Sequence, residues 1–364
     1  MAVAWAKPGI EKIRAHMIDG TGPTVPPATV LLNSNESVFG PSLLARDAAV
    51  AAVSGVERYL ENPDQLLAPA IASHFGLNTD RITIGFGSDD LLARLARAYL
   101  GPNTELIRSA NGYLKVPNYA HANDATVVSV ADDNFKPLVD DMIAALSEKT
   151  RIVYLANPEN PAGTYLSGAE VRRLHTALPD HVLLVIDAAY EEYVDAPDYE
   201  PAHVLVEEAE NVVMCRTFSK IFGLAGARVG WLYGPEDVVD SVRRIGVTFP
   251  VASPSAAAAI AALEDREHTK MVFDENQKWR SWLSAQLTEL GLSVVPSQGN
   301  FLLVEFSDPG KSASAVDAAL RQKGIAIRRF ASPAYAEYIR ITIGHPQELQ
   351  AVVTGITAFL KGEL

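Results

Sequence analysis

The fold is decided by the stretch Val182-Leu183-Leu184-Val185-Ile186-Asp187. An unbroken apolar run predicts a strand that is buried on both faces, as the strands of a parallel sheet are. Ligands bind beyond the carboxyl ends of such strands, so Asp187 is predicted to face a ligand crevice. Tyr190 follows three residues later and is expected to border the same crevice. The next pair, Glu191-Glu192, is predicted to be solvated or to contact another subunit.

Outward from this strand, apolar segments alternate with amphipathic ones from Arg81 to about residue 250. Strands are predicted at 82–85, 105–107, 126–130, 151–155 and 212–214, and helices at 89–100, 116–122, 138–146 and 167–178. Continuous apolar strands that alternate with helices indicate a mostly parallel sheet covered on both faces. The sequence therefore predicts an α/β fold whose large domain, residues 45–250, has three α/β/α layers.

Beyond residue 250 the pattern changes to longer helices and short strands. Helices are predicted at 256–263, 277–290, 312–323 and 347–360, and strands at 292–295, 301–305, 325–328 and 338–342. This order of elements predicts a smaller α+β domain. We expect it to consist of residues 251–364 together with an N-terminal arm, residues 1–44.

Composition limits the class of protein. The chain has 364 residues, of which 48% are hydrophobic, as in an ordinary soluble globular protein. Its formal net charge of −13 disfavours nucleic acid and anionic membranes as partners, because both would repel it. The single cysteine, Cys215, excludes an intrachain disulfide, and the eight histidines are scattered without metal-ligand spacing. Charged residues interrupt the first twenty positions, and no later apolar run reaches the roughly 20 residues of a membrane helix. We therefore predict a cytoplasmic protein without a metal site.

A second motif follows Asp187 along the chain. It is Arg216-Thr217-Phe218-Ser219-Lys220, with Arg228 eight residues beyond the lysine. A lysine amine can form a Schiff base with the aldehyde of pyridoxal phosphate, whose ring then accepts an electron pair from the substrate. Thr217, Ser219 and Arg228 are expected to hold the phosphate, because hydroxyls donate hydrogen bonds and a guanidinium is a planar fork. The order and spacing of these residues predict a pyridoxal phosphate enzyme.

These motifs resemble those of the fold-type I pyridoxal phosphate enzymes of the aspartate aminotransferase superfamily, and more closely those of the histidinol-phosphate aminotransferase family. A third motif, Asn157-Pro158-Glu159-Asn160-Pro161-Ala162-Gly163, is similar to the family's Asn-Pro-x-Asn-Pro-Thr-Gly, with Ala162 in place of threonine. The resemblance implies that Lys220 bonds to the cofactor and that Asp187 faces the pyridine nitrogen. It implies that Tyr190 and Asn160 contact the phenolic oxygen of the cofactor.

The resemblance also places residues around the cofactor phosphate and ring. Gly87-Ser88-Asp89 lies where a predicted strand becomes a helix, so its free amides and the helix dipole can receive a phosphate. Tyr113 occupies the position where the family stacks an aromatic ring on the cofactor. Arg58-Tyr59 resembles a segment whose tyrosine reaches the phosphate of the neighbouring subunit. A homodimer in which Tyr59 completes the partner's site is therefore implied.

The residues that the resemblance assigns to substrate binding lie near the two ends of the chain. Arg340, between apolar neighbours on a predicted strand, matches the arginine that grips the substrate carboxylate, and a buried guanidinium is costly without an anionic partner. Arg328 matches an arginine that holds the substrate phosphate. The family's Asn-Glu-Asn-Pro-Tyr-Gly appears here as Asn35-Glu36-Ser37-Val38-Phe39-Gly40. Asn35 is retained, but Phe39 lacks the tyrosine hydroxyl that the resemblance places near that phosphate.

Together these matches predict transamination in two half-reactions, with a small-molecule amino donor and a keto-acid acceptor. An amino-alcohol phosphate such as histidinol phosphate is the expected donor, and an aromatic or acidic amino acid is the alternative. The motifs leave open a decarboxylase of the phosphothreonine type and, from a different class, a non-catalytic module that only binds pyridoxal phosphate. A nucleotide-binding protein is disfavoured, because the turn Gly85-Phe86-Gly87 lacks the full glycine fingerprint.

Overall fold

The computed structural model describes residues 6–13 and 28–363, and its largest element is a seven-stranded sheet. Residues 1–5, 14–27 and 364, which include much of the predicted N-terminal arm, lie outside the described residues. The strands are β1 (Val30–Leu32), β2 (Ile82–Gly85), β3 (Glu105–Ser109), β4 (Thr126–Val130), β5 (Asp132–Asp133), β6 (Lys136–Pro137), β7 (Thr150–Ala156), β8 (Leu183–Asp187), β9 (Val212–Thr217), β10 (Gly230–Tyr233), β11 (Ser293–Val295), β12 (Phe301–Glu305), β13 (Ile325–Ile327) and β14 (Tyr338–Thr342).

Helices connect most of these strands. They are α1 (Leu43–Ala52), α2 (Pro63–Phe75), α3 (Ser88–Tyr99), α4 (Val116–His121), α5 (Val139–Ala144), α6 (Gly168–Thr176), α7 (Ala202–Glu208), α8 (Glu236–Arg244), α9 (Ser253–Glu264), α10 (Arg266–Glu289), α11 (Ala313–Gln322) and α12 (Pro346–Leu360). None of the helices in the described part of the chain is both long and apolar enough to cross a membrane.

The large sheet has the strand order β2-β10-β9-β8-β7-β3-β4. All neighbours pair in parallel except β10, which is antiparallel to both β2 and β9. The predicted α/β class with a mostly parallel sheet is confirmed. Strand β8 lies between β7 and β9, and the register sets Asp187 level with Ala156 and Cys215. The loops that follow these three strands therefore start from the same edge of the sheet.

The sheet is buried on both faces because its side chains alternate between two apolar cores. One core contains Val153, Leu155, Leu184, Ile186 and Met214, together with helices α2, α6 and α9. The other contains Ile152, Tyr154, Leu183, Val185 and Cys215, together with helices α3, α4 and α8. This two-sided burial explains why the strands read as continuous apolar runs.

A smaller group of strands consists of β1 and the strands that follow α10. Strands β11, β12 and β14 form an antiparallel sheet, and β1 pairs in parallel with β13. Helices α11 and α12 cover a third apolar core. The buried alanines of α9 belong to the core of the large sheet, which favours a boundary nearer α10 than residue 250. The division into domains 45–250 and 1–44 with 251–364 stays a prediction.

Candidate active site

A cavity of about 350 Å³ opens at the carboxyl ends of β7, β8 and β9. Ten of the sixteen predicted site residues line it, although they come from five separate segments of the chain. They are Ser88, Asp89, Tyr113, Asn160, Asp187, Tyr190, Thr217, Ser219, Lys220 and Arg228. The structure therefore brings most of the predicted residues to one place.

Lys220 directs its amine into this cavity. Its Nζ donates to the backbone oxygen of Ser34 over 3.4 Å and lies 5.5 Å from the centre of the Tyr190 ring. A contact of that length is weak. No carboxylate among the described residues forms an ion pair with Lys220. The amine is thus accessible from the cavity, and its weak hydrogen bond to Ser34 would compete little with a carbonyl ligand.

Asp187 is a buried carboxylate at the end of β8. The Tyr154 hydroxyl donates to its Oδ2 over 2.8 Å, and the Ala189 amide donates to its Oδ1 over 3.3 Å. Burial raises the pKa of Asp187 to about 6, even though the hydrogen bond from Tyr154 acts against this rise. A positive charge facing this carboxylate would offset its burial. The environment therefore fits a protonated ring nitrogen.

Tyr190 has its phenolic oxygen fixed by two amides. Asn35 Nδ2 donates to it over 3.0 Å and Asn160 Nδ2 over 3.3 Å. Because the oxygen accepts both bonds, its own proton remains free to be donated to a ligand oxygen. Asn35 does not line the cavity, and Thr342 Oγ1 donates to its Oδ1 over 3.2 Å. Its side chain therefore orients Tyr190, and substrate binding by Asn35 stays a prediction.

The predicted phosphate-binding residues form a cup around Ser219. Arg228 Nη1 donates to Ser219 Oγ over 3.3 Å, and the Ser219 amide donates to Thr217 Oγ1 over 3.0 Å. Arg228 has φ 54° and ψ 50°, a left-handed conformation that is uncommon for a residue with a side chain. Gly87 has φ 78°, and a Cβ there would meet the Arg228 guanidinium, so only glycine lets this turn approach it. The turn leads into the N-terminus of α3, whose amides have no side-chain cap. This donor set fits a phosphate.

Arg340 and Arg328, which are predicted to bind the substrate, do not line the cavity. Arg340 is buried, and its Nη1 donates to Asn160 Oδ1 over 2.5 Å while its Nη2 donates to the Asn33 oxygen over 3.1 Å. Arg328 pairs with Arg340 through two backbone hydrogen bonds of 3.0 and 2.8 Å. Burial lowers the pKa of Arg340 to about 10, and the positive charge of Arg328 contributes to this. Residues that are opposite each other on two antiparallel segments project from the same face of the pair. The side chains of Arg328 and Arg340 therefore project from the same face.

Phe39 and Tyr59 also lie apart from the wall of the cavity. Phe39 packs edge-on against His345, with ring centres 5.1 Å apart. Tyr59 is 74% exposed and stacks on Phe249 at 4.1 Å. Tyr59 therefore does not line the cavity of its own chain, and its role in a neighbouring subunit stays a prediction.

The prediction for Glu191 and Glu192 is wrong. Both carboxylates are largely buried and form ion pairs with the buried Arg216, over 3.0 and 2.6 Å. The Arg216 guanidinium also lies 4.2 Å from the centre of the Phe75 ring. Sequence reasoning missed this partner because the arginine is on β9, more than twenty residues away. The group joins the strand before Lys220 to the turn after Tyr190.

Several residues of the site were not predicted. Tyr154 bonds to Asp187, Ser34 accepts from Lys220, and both Lys115 and Tyr119 donate to Asp89. A tyrosine inside the apolar run of β7 was a usable signal, because a buried hydroxyl needs a partner. The other three contacts join distant segments and left no local pattern.

The chain is similar to known aminotransferases over nearly its whole length. The family model for aminotransferase class I and II matches residues 27–356. A histidinol-phosphate aminotransferase of Paramagnetospirillum magneticum is 43% identical over 355 residues, covering 97% of this chain and 98% of the relative. One from Granulibacter bethesdensis is 41% identical over 353 residues, covering 97% and 95%.

Solved structures show the same fold. The crystal structure of histidinol-phosphate aminotransferase from Sinorhizobium meliloti in complex with pyridoxal-5'-phosphate has a TM-score of 0.91 at 27% identity, and covers 100% of this chain and 99% of that one. Aspartate aminotransferase from Thermus thermophilus with maleate has a TM-score of 0.84 at 19% identity, over 98% and 100% of the two chains. The chain is therefore a member of the class I and II aminotransferase family, an enzyme with pyridoxal phosphate as its cofactor.

Proposed function

We propose that this enzyme transaminates histidinol phosphate, with Lys220 as its catalytic residue and a keto acid as the acceptor. The choice of donor rests on Arg328 and Arg340. These two arginines are opposite each other in an antiparallel bridge beside the cavity, so their side chains project from the same face. The name of the closely similar relatives supports the same donor.

The cofactor would be held by the residues around the cavity. Its phosphate would lie in the cup of Ser88, Thr217, Ser219 and Arg228, at the N-terminus of α3. Its remaining contacts would be Asp187 at the ring nitrogen, Asn160 and Tyr190 at the phenolic oxygen, and Tyr113 against the ring face. When bound, pyridoxal phosphate supplies an aldehyde that bonds to amines and a ring that accepts an electron pair.

Lys220 has two roles in this proposal. Its amine would bond to the aldehyde of the cofactor, and a substrate amine would free it from that bond. The free Lys220 amine would then be the base that takes the proton from the substrate α carbon and the acid that later gives it back. Tyr190 donates its hydroxyl proton to the phenolic oxygen, because its own oxygen is already occupied by two amides. Asp187 holds the proton on the ring nitrogen.

Two neighbouring arginines suit a doubly charged anion. A buried guanidinium needs an anionic partner, and no carboxylate among the described residues forms an ion pair with Arg340. The phosphate of the donor carries up to two negative charges and can accept hydrogen bonds from two guanidinium groups. The carboxylate of a keto acid could then use Arg340 in the second half-reaction. This geometry favours a phosphate-bearing donor over an aromatic amino acid.

A donor panel tests the choice of substrate. We expect histidinol phosphate to have a higher kcat/KM than histidinol, aromatic amino acids, acidic amino acids and phosphothreonine. Arg328→Gln and Arg340→Gln are each expected to lower kcat/KM for histidinol phosphate by about 10- to 100-fold, the usual effect of losing a charged hydrogen-bond donor. Arg244→Gln is the control, because the Arg244 side chain is 76% exposed. Steady-state assays of the product keto compound measure each value.

Other results of the donor panel would indicate a different donor or a different reaction. Absence of turnover with histidinol phosphate, together with turnover of an aromatic or acidic amino acid, would overturn the proposed donor. Release of carbon dioxide from phosphothreonine would instead indicate a decarboxylase.

We also propose that the enzyme is a homodimer whose subunits share their active sites. Exposed large apolar side chains are concentrated in residues 43–59 and 247–249, and the two segments meet where Tyr59 stacks on Phe249. They include Leu43 (71% exposed), Val50 (73%), Val56 (59%) and Val247 (63%). Concentrated apolar exposure of this kind marks an interaction surface. A second copy is the proposed occupant, because Tyr59 would otherwise have no role in a site.

Mixing two variants that each lack a different part of the site tests whether the sites are shared. Lys220→Ala leaves Tyr59 intact, and Tyr59→Ala leaves Lys220 intact, so a mixed dimer would contain one complete site. We expect activity to appear when the two variants are unfolded together and refolded, at a level above the sum of the separate samples. Activity that never exceeds this sum, in a sample shown to contain mixed dimers, would contradict shared sites.

The predicted cytoplasmic location is kept as part of the proposal. Cys215 is unpaired and buried, and an unpaired cysteine fits a reducing compartment. Cell fractionation with detection of the enzyme measures its location directly. Recovery in an oxidising extracellular fraction would contradict it.

A further inference from the structure

Asp89 is held by three donors at the start of α3. Its Oδ1 accepts from the Tyr113 hydroxyl over 3.1 Å and from the Tyr119 hydroxyl over 2.5 Å, and its Oδ2 accepts from Lys115 Nζ over 2.9 Å. Burial by itself raises the pKa of Asp89, but the hydrogen bonds from Lys115, Tyr119 and Tyr113 and the positive charge of Lys115 together leave the pKa below its ordinary value. The side chain is therefore an ionised carboxylate at neutral pH.

This carboxylate lies in an unfavourable place for an anionic ligand. Asp89 lines the same cavity as Ser88, Ser219 and Arg228, which form the proposed phosphate cup. A phosphate there would be attracted by one guanidinium and repelled by one carboxylate. Within the cup the formal charges of Arg228 and Asp89 cancel, so a cation paired with Asp89 would leave the cup positive.

Lys115 supplies that cation. It does not line the cavity, but its ammonium forms an ion pair with Asp89 and lies 5.7 Å from the centre of the Tyr119 ring. About a third of each side chain is exposed, so the pair is partly shielded from water. Counting Arg228, Asp89 and Lys115 together, the cup has a formal charge of +1.

We propose that Lys115 is a positioning residue that neutralises Asp89, so that the cup stays positive and the phosphate of the cofactor can bind. The inference rests on the proposed phosphate site. In this arrangement, Asp89 can fix the hydroxyl of Tyr113, and through it the aromatic ring, without repelling the cofactor. Lys115 would act on the cofactor only through the charge of Asp89.

Cofactor affinity in charge variants tests the inference. We expect Lys115→Met to weaken pyridoxal phosphate binding to the full-length enzyme on the order of ten-fold, the effect of one unit charge at about 10 Å near a protein surface. Binding of pyridoxal, which lacks the phosphate, is expected to change little. Equilibrium dialysis measures both dissociation constants. Lys115→Arg should keep affinity near the wild-type value, and adding Asp89→Asn to Lys115→Met should restore most of the loss.

Matched variants separate charge from structure. Tyr119→Phe removes a hydrogen bond to the same carboxylate without changing its charge, so it should not produce the difference between the two ligands. Equal weakening for pyridoxal and pyridoxal phosphate, or a double variant as weak as Lys115→Met, would overturn the role of Lys115.

A variant of Arg228 distinguishes an error in the role of Lys115 from an error in the position of the phosphate site. Arg228→Gln should weaken pyridoxal phosphate but not pyridoxal. If it does and Lys115→Met does not, the inference about Lys115 is wrong and the phosphate site stands. If Arg228→Gln leaves pyridoxal phosphate affinity unchanged, the phosphate site is misplaced and the inference fails with it.

Discussion

Replacing Lys220 with alanine is expected to lower kcat by at least about a thousand-fold. The variant loses both the amine that bonds to the cofactor and the base that moves the α proton, and a positioned acid or base alone contributes roughly 10²- to 10⁴-fold. Arg228, Ser219 and Asp187 remain in the cavity, so the cofactor is expected to bind without a covalent bond. Single-turnover kinetics with the preferred donor measure the loss.

Two other lysine variants serve as controls. Lys220→Arg keeps a positive charge but should be as inactive as Lys220→Ala, because a guanidinium stays protonated and is neither a base nor a nucleophile at neutral pH. Lys270→Ala should behave as the wild type, because the Lys270 side chain is 73% exposed and forms its ion pair with Asp274, far from the site residues in sequence and outside the cavity lining. Turnover by Lys220→Ala within ten-fold of the wild type would remove Lys220 from the chemistry.

The second large effect is expected at Asp187. Asp187→Asn keeps the shape of the side chain but removes the charge that would hold a proton on the ring nitrogen. We expect kcat to fall about 10²- to 10³-fold, the usual effect of losing one electrostatic group that stabilises charge in the transition state. Tyr154→Phe removes only the hydroxyl that donates to Asp187 and should have a smaller effect. Asp240→Asn, at an exposed position, is the neutral control.

The same substitution should affect stability in opposite directions with and without cofactor. Burial raises the pKa of Asp187 from 3.8 to about 6, so its ionised form is destabilised in the folded protein. A folded protein that binds more protons than the unfolded one loses stability as pH rises, here between about pH 4 and pH 6, and the full cost remains above that range. Without cofactor, Asp187→Asn is therefore expected to have a higher Tm than the wild type at pH 8. With cofactor it should have a lower Tm, and equal shifts in both states would contradict the pairing.

The strands of the large sheet were predictable because burial on two faces gives continuous apolar runs. In this sheet β2 and β4 were predicted with the bounds that the structure has, and β8 was predicted to end at the site. The bounds of β12 and β14, in the smaller antiparallel sheet, were also predicted. The helices were harder. α10 begins at Arg266, although its apolar pattern predicted a start at 277, because its first turns are mostly polar and packing decides their structure. α2 was not predicted, and it contains Pro69 and has apolar residues on more than one face.

The residues of the site also include some that the sequence predicts and some that it does not. Lys220, Asp187 and Arg228 were predictable because each belongs to a short motif whose order along the chain reflects the chemistry. Lys115 and Tyr154 were not, because their roles depend on contacts with residues 26 and 33 positions away. Such contacts are set by how the strands are ordered in the sheet, and local sequence carries no record of that order.

The lysine that bonds covalently to the cofactor can be identified directly. The enzyme should be saturated with pyridoxal phosphate, reduced with borohydride, digested and mapped by mass spectrometry. A single stable pyridoxyl group is expected on the peptide that contains Lys220. A modified peptide that carries another lysine, or an unmodified protein after reduction, would contradict this expectation.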